Sequence, residues 1–391
     1  MKIIRARVRG LGDTIETEWF ELSPRLNLFH ILEEKSRISF LTDLASLNPL
    51  LPCEVTKPFA EFPLVSRRQG HSRRIHPGKR TVALAIFNST PDMVAELAAA
   101  SPHLYEADRI EVGRRLDYSR WINFVEISSS TRWREIASDF GQLASRTKEI
   151  SPEKAVSVES VIRSLHGSDR VKGGIDRDLQ GWLRSLPAEV REDSQQRIDQ
   201  LCRAVHRAED FQTARRIVER RLPIFVVLSG ASPHQEPVET ILQRIDERLE
   251  DLGGPPAAAA RDFLKALNEQ LEIRQFADLR LHLELRAGSG VFLSAEPSLA
   301  TIAPDSSLMH LQAAIALAIA FCRVTCRTEP ILIFDCPERR LPPSLHRQLS
   351  DFILTTAEFC QCLYGYAELN IFSRHRGLPK FLITDLTKPG H

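Results

Sequence analysis

Two stretches near opposite ends of the chain carry residue types whose spacing could handle a phosphate group. The first is residues 26–41, Leu-Asn-Leu-Phe-His-Ile-Leu-Glu-Glu-Lys-Ser-Arg-Ile-Ser-Phe-Leu. An apolar strand ending in Asn27-Leu28-Phe29 and a helix opening near Ser39-Phe40-Leu41 are the flanks of a phosphate-binding loop. A working loop needs glycines so that backbone N–H groups can wrap the phosphates, a Lys for the β- and γ-phosphates, and a Ser or Thr for Mg²⁺. Counted in register, the glycine positions hold Ile31, Glu34 and Ser36, the Lys position holds Arg37 and the Mg²⁺ position holds Ile38. Glu33 and Glu34 would repel a triphosphate, and a planar guanidinium is larger than the compact ammonium such a loop encloses. All the functional classes are lost together, the pattern of a fold that outlived hydrolysis.

The second stretch, Ile331-Leu332-Ile333-Phe334-Asp335, is a buried-strand run ending in an acid. That is the shape of a Walker B strand, whose Asp holds Mg²⁺. Cys336 stands where a catalytic Glu would follow, and a thiol cannot position and deprotonate a water as a carboxylate can. Pro337, Leu341 and Pro343 keep the frame of the turn beyond, with Glu338 inside it. Upstream, Ser306-Ser307-Leu308-Met309-His310 leads into an apolar helix in the register of a cassette signature motif, with Leu308 at the glycine position. After helix 344–359, the segment Gln361–Phe372 should end a strand with a switch His, and Tyr364-Gly365-Tyr366 offers none.

These residues make the chain resemble an ATP-binding-cassette head of the RecF, SMC and OLD-nuclease type. Met1–Gly12 looks like the opening strand of such heads, Trp19–Asn27 like the second strand, and Arg221–Leu228 is similar to a strand that follows the helical region in OLD-like ATPases. The match covers roughly 1–60 and 285–385. The resemblance implies an α/β fold: a P-loop NTPase-like cassette head with an antiparallel or mixed N-terminal β lobe and a helical insertion. It also implies work on nucleic acid, in repair, chromosome maintenance or defence. The degenerate nucleotide site it implies comprises Arg37, Ser39, Asp335, Cys336, Glu338, Ser306 and Ser307.

The elements that must position those residues divide into an N-terminal ATPase-like lobe over 1–130, a mainly helical insertion over 131–284 and a C-terminal ATPase-like lobe over 285–391. Thr81–Phe87 reads as a strand, Pro91-Asp92 opens an alanine-rich helix, and 107–128 alternates as strands about a turn at Asp117–Arg120. Ile198, Leu201, Cys202 and Val205 fall on one helix face, and Ile241, Leu242, Ile245, Leu249 and Leu252 on another. The insertion is too short for a long coiled coil.

Residues 67–80 read as a basic, Gly/Pro-punctuated loop with six Arg or Lys and two His. Arg67, Arg68, Arg73, Arg74, Lys79 and Arg80 could neutralise phosphates of DNA or RNA in a salt-sensitive way. No aromatic residue is interleaved, so base stacking is not indicated. A solvated surface is the plain alternative for this run, and a salt-bridged face for Arg215, Arg216, Arg220 and Arg221 on the helix 194–221.

The 391 residues are 43% hydrophobic and 26% charged with net charge +1, so no global field drives the chain to nucleic acid or membrane. No apolar run of about 18 residues is counted, so no membrane span is expected, and the chain is expected in the cytoplasm. The seven cysteines lie among apolar neighbours and read as reduced thiols. No metal site is expected.

The function expected is a non-catalytic ATPase-like subunit, a scaffold or regulator in a nucleic-acid maintenance or defence complex. Its partners would be a protein, such as an active ATPase or nuclease, and DNA, with no cofactor. Alternatives are a weak ATP-binding ATPase using Arg37 and Asp335 with Mg²⁺, and a pure protein-interaction module. A further enzyme reading makes Cys336 a nucleophile served by His346 or His375. The first reading places Arg37 beside Asp335 as an ion pair filling the emptied pocket.

Overall fold

The computed structural model describes residues 1–9, 16–60, 65–68, 71–74, 76–101, 108–229, 237–254, 257–273, 279–286, 290–296, 306–375 and 377–382, without the side chains of 65–68, 71–74, 286, 306–307 and 381–382. The chain opens with β1 (Lys2–Val8), β2 (Phe20–Glu21) and β3 (Leu26–His30), then α1 (Glu34–Ala45) and the single turn α2 (Cys53–Thr56). A ribbon of β4 (Val65–Arg68) and β5 (His71–Arg74) precedes β6 (Thr81–Asn88), α3 (Pro91–Ala100), β7 (Arg109–Arg115) and β8 (Arg120–Phe124). Helices α4 (Trp133–Ile150), α5 (Pro152–Ser164), α6 (Ile175–Ser185) and α7 (Ala188–Arg221) follow. Then come β9 (Phe225–Ser229), α8 (Pro237–Asp251), α9 (Ala258–Ile273), β10 (Arg280–Arg286), β11 (Gly290–Glu296) and α10 (Ser306–Cys326). The last elements are β12 (Ile331–Asp335), α11 (His346–Thr356), β13 (Gln361–Tyr366) and β14 (Lys380–Leu382).

The residues group into two compact units, one of Met1–Asn88, Glu111–Ile122 and Arg220–His391, the other of Ser89–Ile110 and Asn123–Glu219. The first unit is mixed α/β. One sheet has the order β2-β1-β6-β7-β8, with β1 antiparallel to β2 and to β6. The second has the order β14-β3-β13-β12-β9, and every neighbouring pair in it is parallel. Parallel sheets are covered on both faces and read as continuous apolar runs. All five residues of β12 and all six of β13 are accordingly buried. β1 instead alternates, with Ile3, Ala6 and Val8 buried and Arg5 exposed.

Helix α1 packs against β12, β9 and β13 of the parallel sheet and against β1 and β6 of the antiparallel one. Its far end is closed by Arg114, which donates from Nε to the Ser46 carbonyl at 2.6 Å, from Nη2 to Leu47 O at 3.1 Å, and from Nη1 to Tyr118 O. Carbonyls at a helix C-terminus lack intrahelical partners, and a cation there also suits the helix dipole. Helices α8, α9 and α10 join the parallel sheet in the larger core, through Ile241, Ile245, Leu267, Ile315 and Ile319 among others.

The second unit is built on helices. Trp133, Phe140, Leu143, Trp182, Leu201 and Val205 share one core. Ile198, Leu201 and Val205 are buried as their spacing predicts, and α7 starts at Ala188, before the expected 194, with an interruption at Ser194 (φ −128°, ψ 20°).

Three expectations are corrected. Helix α1 begins at Glu34 rather than near Ser39, leaving only Ile31–Glu33 between it and β3. The basic stretch is not a loop throughout: it forms the β4–β5 ribbon and a 3₁₀ turn at Pro77–Lys79. Its pairing sets Val65 opposite Arg74, Ser66 opposite Arg73, Arg67 opposite Ser72 and Arg68 opposite His71, so no two arginines, whose like charges would be destabilising, sit directly across. Finally, Leu308–Cys326 is long and apolar enough, by length and composition, to cross a membrane. Every residue from Ala313 to Cys322 is buried in the core just described.

Candidate functional site

In open α/β sheets, ligands sit beyond the carboxyl ends of the parallel strands. Here one row of residues crosses four strands at that end: Phe29 of β3 pairs with Gly365 of β13, Gly365 with Asp335 of β12, and Asp335 with Ser229 of β9. The short connection after β3 brings the first turn of α1 over this row. Arg37, one turn into the helix, is fully buried.

Arg37 Nε lies 2.5 Å from Asp335 Oδ1, and both side chains are withdrawn from solvent. The second oxygen, Oδ2, accepts from Ser229 Oγ at 3.0 Å. Both carboxylate oxygens of Asp335 are therefore engaged by the protein itself. Arg37 Nη1 and Nη2 are buried without a hydrogen-bond partner among the described residues. The stem of Arg37 crosses Gly365: a Cβ there would lie 3.3 Å from Arg37 Cγ and Cδ and 2.8 Å from Leu41 Cδ1.

Cys336 follows in the left-handed region (φ 45°), a conformation that non-glycine residues adopt at a cost in strain. Its N–H donates to Gly365 O at 3.0 Å, and its Sγ lies 3.6 Å from the same oxygen. Burial first, then the nearby Glu338 carboxyl, pushes the thiol up to about 11. The thiolate, which is the reactive form, is thus disfavoured. His346 Nε2 lies 3.2 Å from the backbone oxygens of both Glu338 and Leu341, so the backbone and not the thiol holds this ring. His375 packs near Phe372. The Cys336–His reading finds no support in this arrangement.

Glu338 is buried and accepts a hydrogen bond from Tyr364 Oη. Burial raises its carboxyl, and the Tyr364 bond partly offsets that rise. The Tyr364 phenol is itself held well above its ordinary range, by burial first and then by Glu338. At the surface, Arg339 Nη1 pairs with Glu34 at 2.7 Å, and its hydrogen bond lowers the Glu34 carboxyl.

The remaining candidates are dispersed. Ser39 is half-buried, two residues past Arg37 on another side of α1. Ser306 and Ser307 open α10, with side chains outside the described residues, as are those of Arg67, Arg68, Arg73 and Arg74. Lys79 is exposed, and Arg80 donates from Nη2 to Arg9 O at 3.0 Å. Arg215 pairs with Glu219 at 3.0 Å, the salt-bridged alternative for that helix face. Ser229 and the Glu338–Tyr364 bond escaped sequence reasoning. The only signal for Ser229 is that it ends a strand in register with Asp335.

No family model and no curated protein matches the chain. Among solved structures, it is similar to an SMC head bound to the C-terminal winged-helix domain of ScpA, at 11% identity over 96% of this chain and 92% of that one, with a TM-score of 0.41. It is also similar to the SMC head domain from Thermotoga maritima (6% identity, 97% and 94% covered, TM-score 0.39). A third likeness is to the recombination mediator protein RecF of the RecFOR pathway (10% identity, 94% and 93% covered, TM-score 0.38).

Proposed function

We propose that this protein is a non-catalytic, ATPase-like subunit of the RecF, SMC and OLD type, a scaffold or regulator in a nucleic-acid maintenance or defence complex. The observation that carries this reading is the buried Arg37–Asp335 pair, with Nε and Oδ1 2.5 Å apart. The group in the lysine position and the group in the metal-ligand position have become each other's partner.

A Mg²⁺-bound triphosphate does not fit the residues present. The Asp335 oxygens are engaged by Arg37 and Ser229. The helix begins at Glu34, so only Ile31–Glu33 remain between it and β3, Arg37 N–H already donates to Glu33 O at 3.0 Å, and Glu33 and Glu34 bring negative charge to the mouth of the helix. The Cys336 thiol, held protonated, cannot act as the base that a hydrolytic water requires. Leu32 and Ile38, 68% and 42% exposed, lie beside this closed site and favour a protein partner there. The β4–β5 ribbon, with Arg67, Arg68, Arg73 and Arg74, followed by Lys79 and Arg80, is the segment assigned to DNA.

The test is equilibrium binding of a fluorescent ATP analogue with Mg²⁺, without and then with short duplex DNA. This reading predicts no saturable nucleotide binding and DNA binding that weakens steeply with salt. Micromolar nucleotide binding would overturn it in favour of a weak ATPase. Binding of neither would leave a pure protein-interaction module.

A further inference from the structure

The parallel sheet has an open edge at β9, and a cavity of about 360 Å³ lies against it. Among the described residues, the start of this edge is covered: Phe225 N–H donates to Asn48 O at 2.8 Å, and Leu50 N–H donates to Phe225 O at 3.2 Å. Further along, Val227 is 39% exposed and lines the cavity. The opposite wall comes from the end of α1, at Thr42, Ala45 and Ser46, and from Leu50 and Leu51. The first turn of α8 contributes Thr240.

The chemistry of this lining selects its ligand. None of the described lining residues carries a charge. A charged ligand would lose its hydration with no counter-ion among the described lining residues to replace it. The walls are mostly apolar, and the hydroxyls of Thr42, Ser46, Thr56, Ser229 and Thr240 supply a small polar set. A cavity of this size, apolar with a few placed polar groups, is the common form of a small-molecule site. We infer that it binds a small, uncharged, largely apolar molecule bearing one or two hydrogen-bonding groups. Ser229 belongs both to this wall and to the hydrogen bond with Asp335, so the occupant lies one side chain away from the sealed ion pair. The inference does not depend on whether the protein binds nucleotide.

The probe is N-phenyl-1-naphthylamine, which is neutral, apolar and fluorescent when withdrawn from water. Titrated into the full chain, it should give a saturable, one-to-one rise in fluorescence. Val227→Trp places an indole in the cavity and should weaken binding by at least about 10-fold, some 1.4 kcal/mol. Ala45→Leu narrows the opposite wall and should act in the same direction, so the test survives if either variant fails to fold. The sulfonated analogue 1-anilinonaphthalene-8-sulfonate should bind at least about 10-fold more weakly than the neutral dye. Absence of saturable binding, equal affinity for the two dyes, or affinity unchanged in folded variants would each overturn the assignment.

Discussion

Gly365 lies directly beneath the stem of Arg37, so close that a Cβ at this position would stand 3.3 Å from Arg37 Cγ and Cδ. The same Cβ would stand 2.8 Å from Leu41 Cδ1, a distance real structures do not sustain without movement. The glycine is needed here for close approach, since Gly365 lacks the positive φ found elsewhere. It lets α1 settle on the parallel sheet so that the Arg37 guanidinium reaches Asp335. Gly365→Ala should therefore destabilise by about 1–3 kcal/mol, the usual range for overpacking a tight core. Urea unfolding measures it, and a change within about 0.5 kcal/mol would mean that Arg37 and Leu41 yield freely.

Asp43 on α1 is buried, and its Oδ1 has no hydrogen-bond partner among the described residues. Burial alone raises its carboxyl well above the ordinary range. A folded-state pKa above the unfolded one makes the folded form bind the proton more tightly, so stability falls as pH rises above the unfolded value of about 3.9. Asp43→Asn does not titrate. It should therefore raise the unfolding temperature at pH 7, and the gain should shrink as pH is lowered toward 4. A gain independent of pH would show that ionisation is not the cause.

Cys336 should be inert in the folded protein. Its thiol is buried and pushed up to about 11, so almost none of it is thiolate at pH 8. Iodoacetamide labelling mapped by mass spectrometry should find Cys336 unmodified until denaturant is added. Labelling in the native state would restore the nucleophile reading.

Arg114 is 8% exposed and binds three carbonyls, those of Ser46 and Leu47 just past α1 and that of Tyr118 in the β7–β8 turn. Arg114→Met keeps the apolar stem and removes every donor. Hydrogen bonds from charged groups contribute about 1.5–3 kcal/mol each, so the variant should lose at least that much stability to urea. Near-neutrality would mean that water replaces the guanidinium at those carbonyls.

Much of this arrangement can be read from the chain before any coordinates. The run Ile331–Asp335 reads as a buried strand ending in an acid, and in the phosphate-loop register that the chain resembles, counting from Ile31 puts Arg37 in the lysine position. The resemblance to a cassette head, which brings those two stretches together, implies a contact between residues 298 apart in sequence, and the contact is present. Ser229 was not legible, because its role follows from sheet order, and nothing local marks a serine 106 residues from its acceptor. Glu338–Tyr364 was hidden for the same reason. The start of α1 was misplaced because no side chain caps it: Glu33 stands at the N-cap without a capping hydrogen bond. The β4–β5 ribbon looked like a loop because its arms are polar and lack the alternation of a half-buried strand. In Leu308–Cys326 the apolar run was missed because His310, Gln312 and Arg323 interrupt it, although its composition as a whole is strongly apolar.

The central claim is that Arg37 and Asp335 serve each other rather than a nucleotide. A double-mutant cycle with Arg37→Met and Asp335→Asn, read by urea unfolding, tests it most directly. Breaking a buried ion pair from one side leaves an uncompensated charge and costs about 3–5 kcal/mol. The account predicts a loss of that order in the Arg37→Met single, where Asp335 keeps its charge. It predicts a double variant no less stable than the weaker single, a strong favourable coupling between the two positions. Losses that simply add would show that the two groups act independently, and would contradict the account.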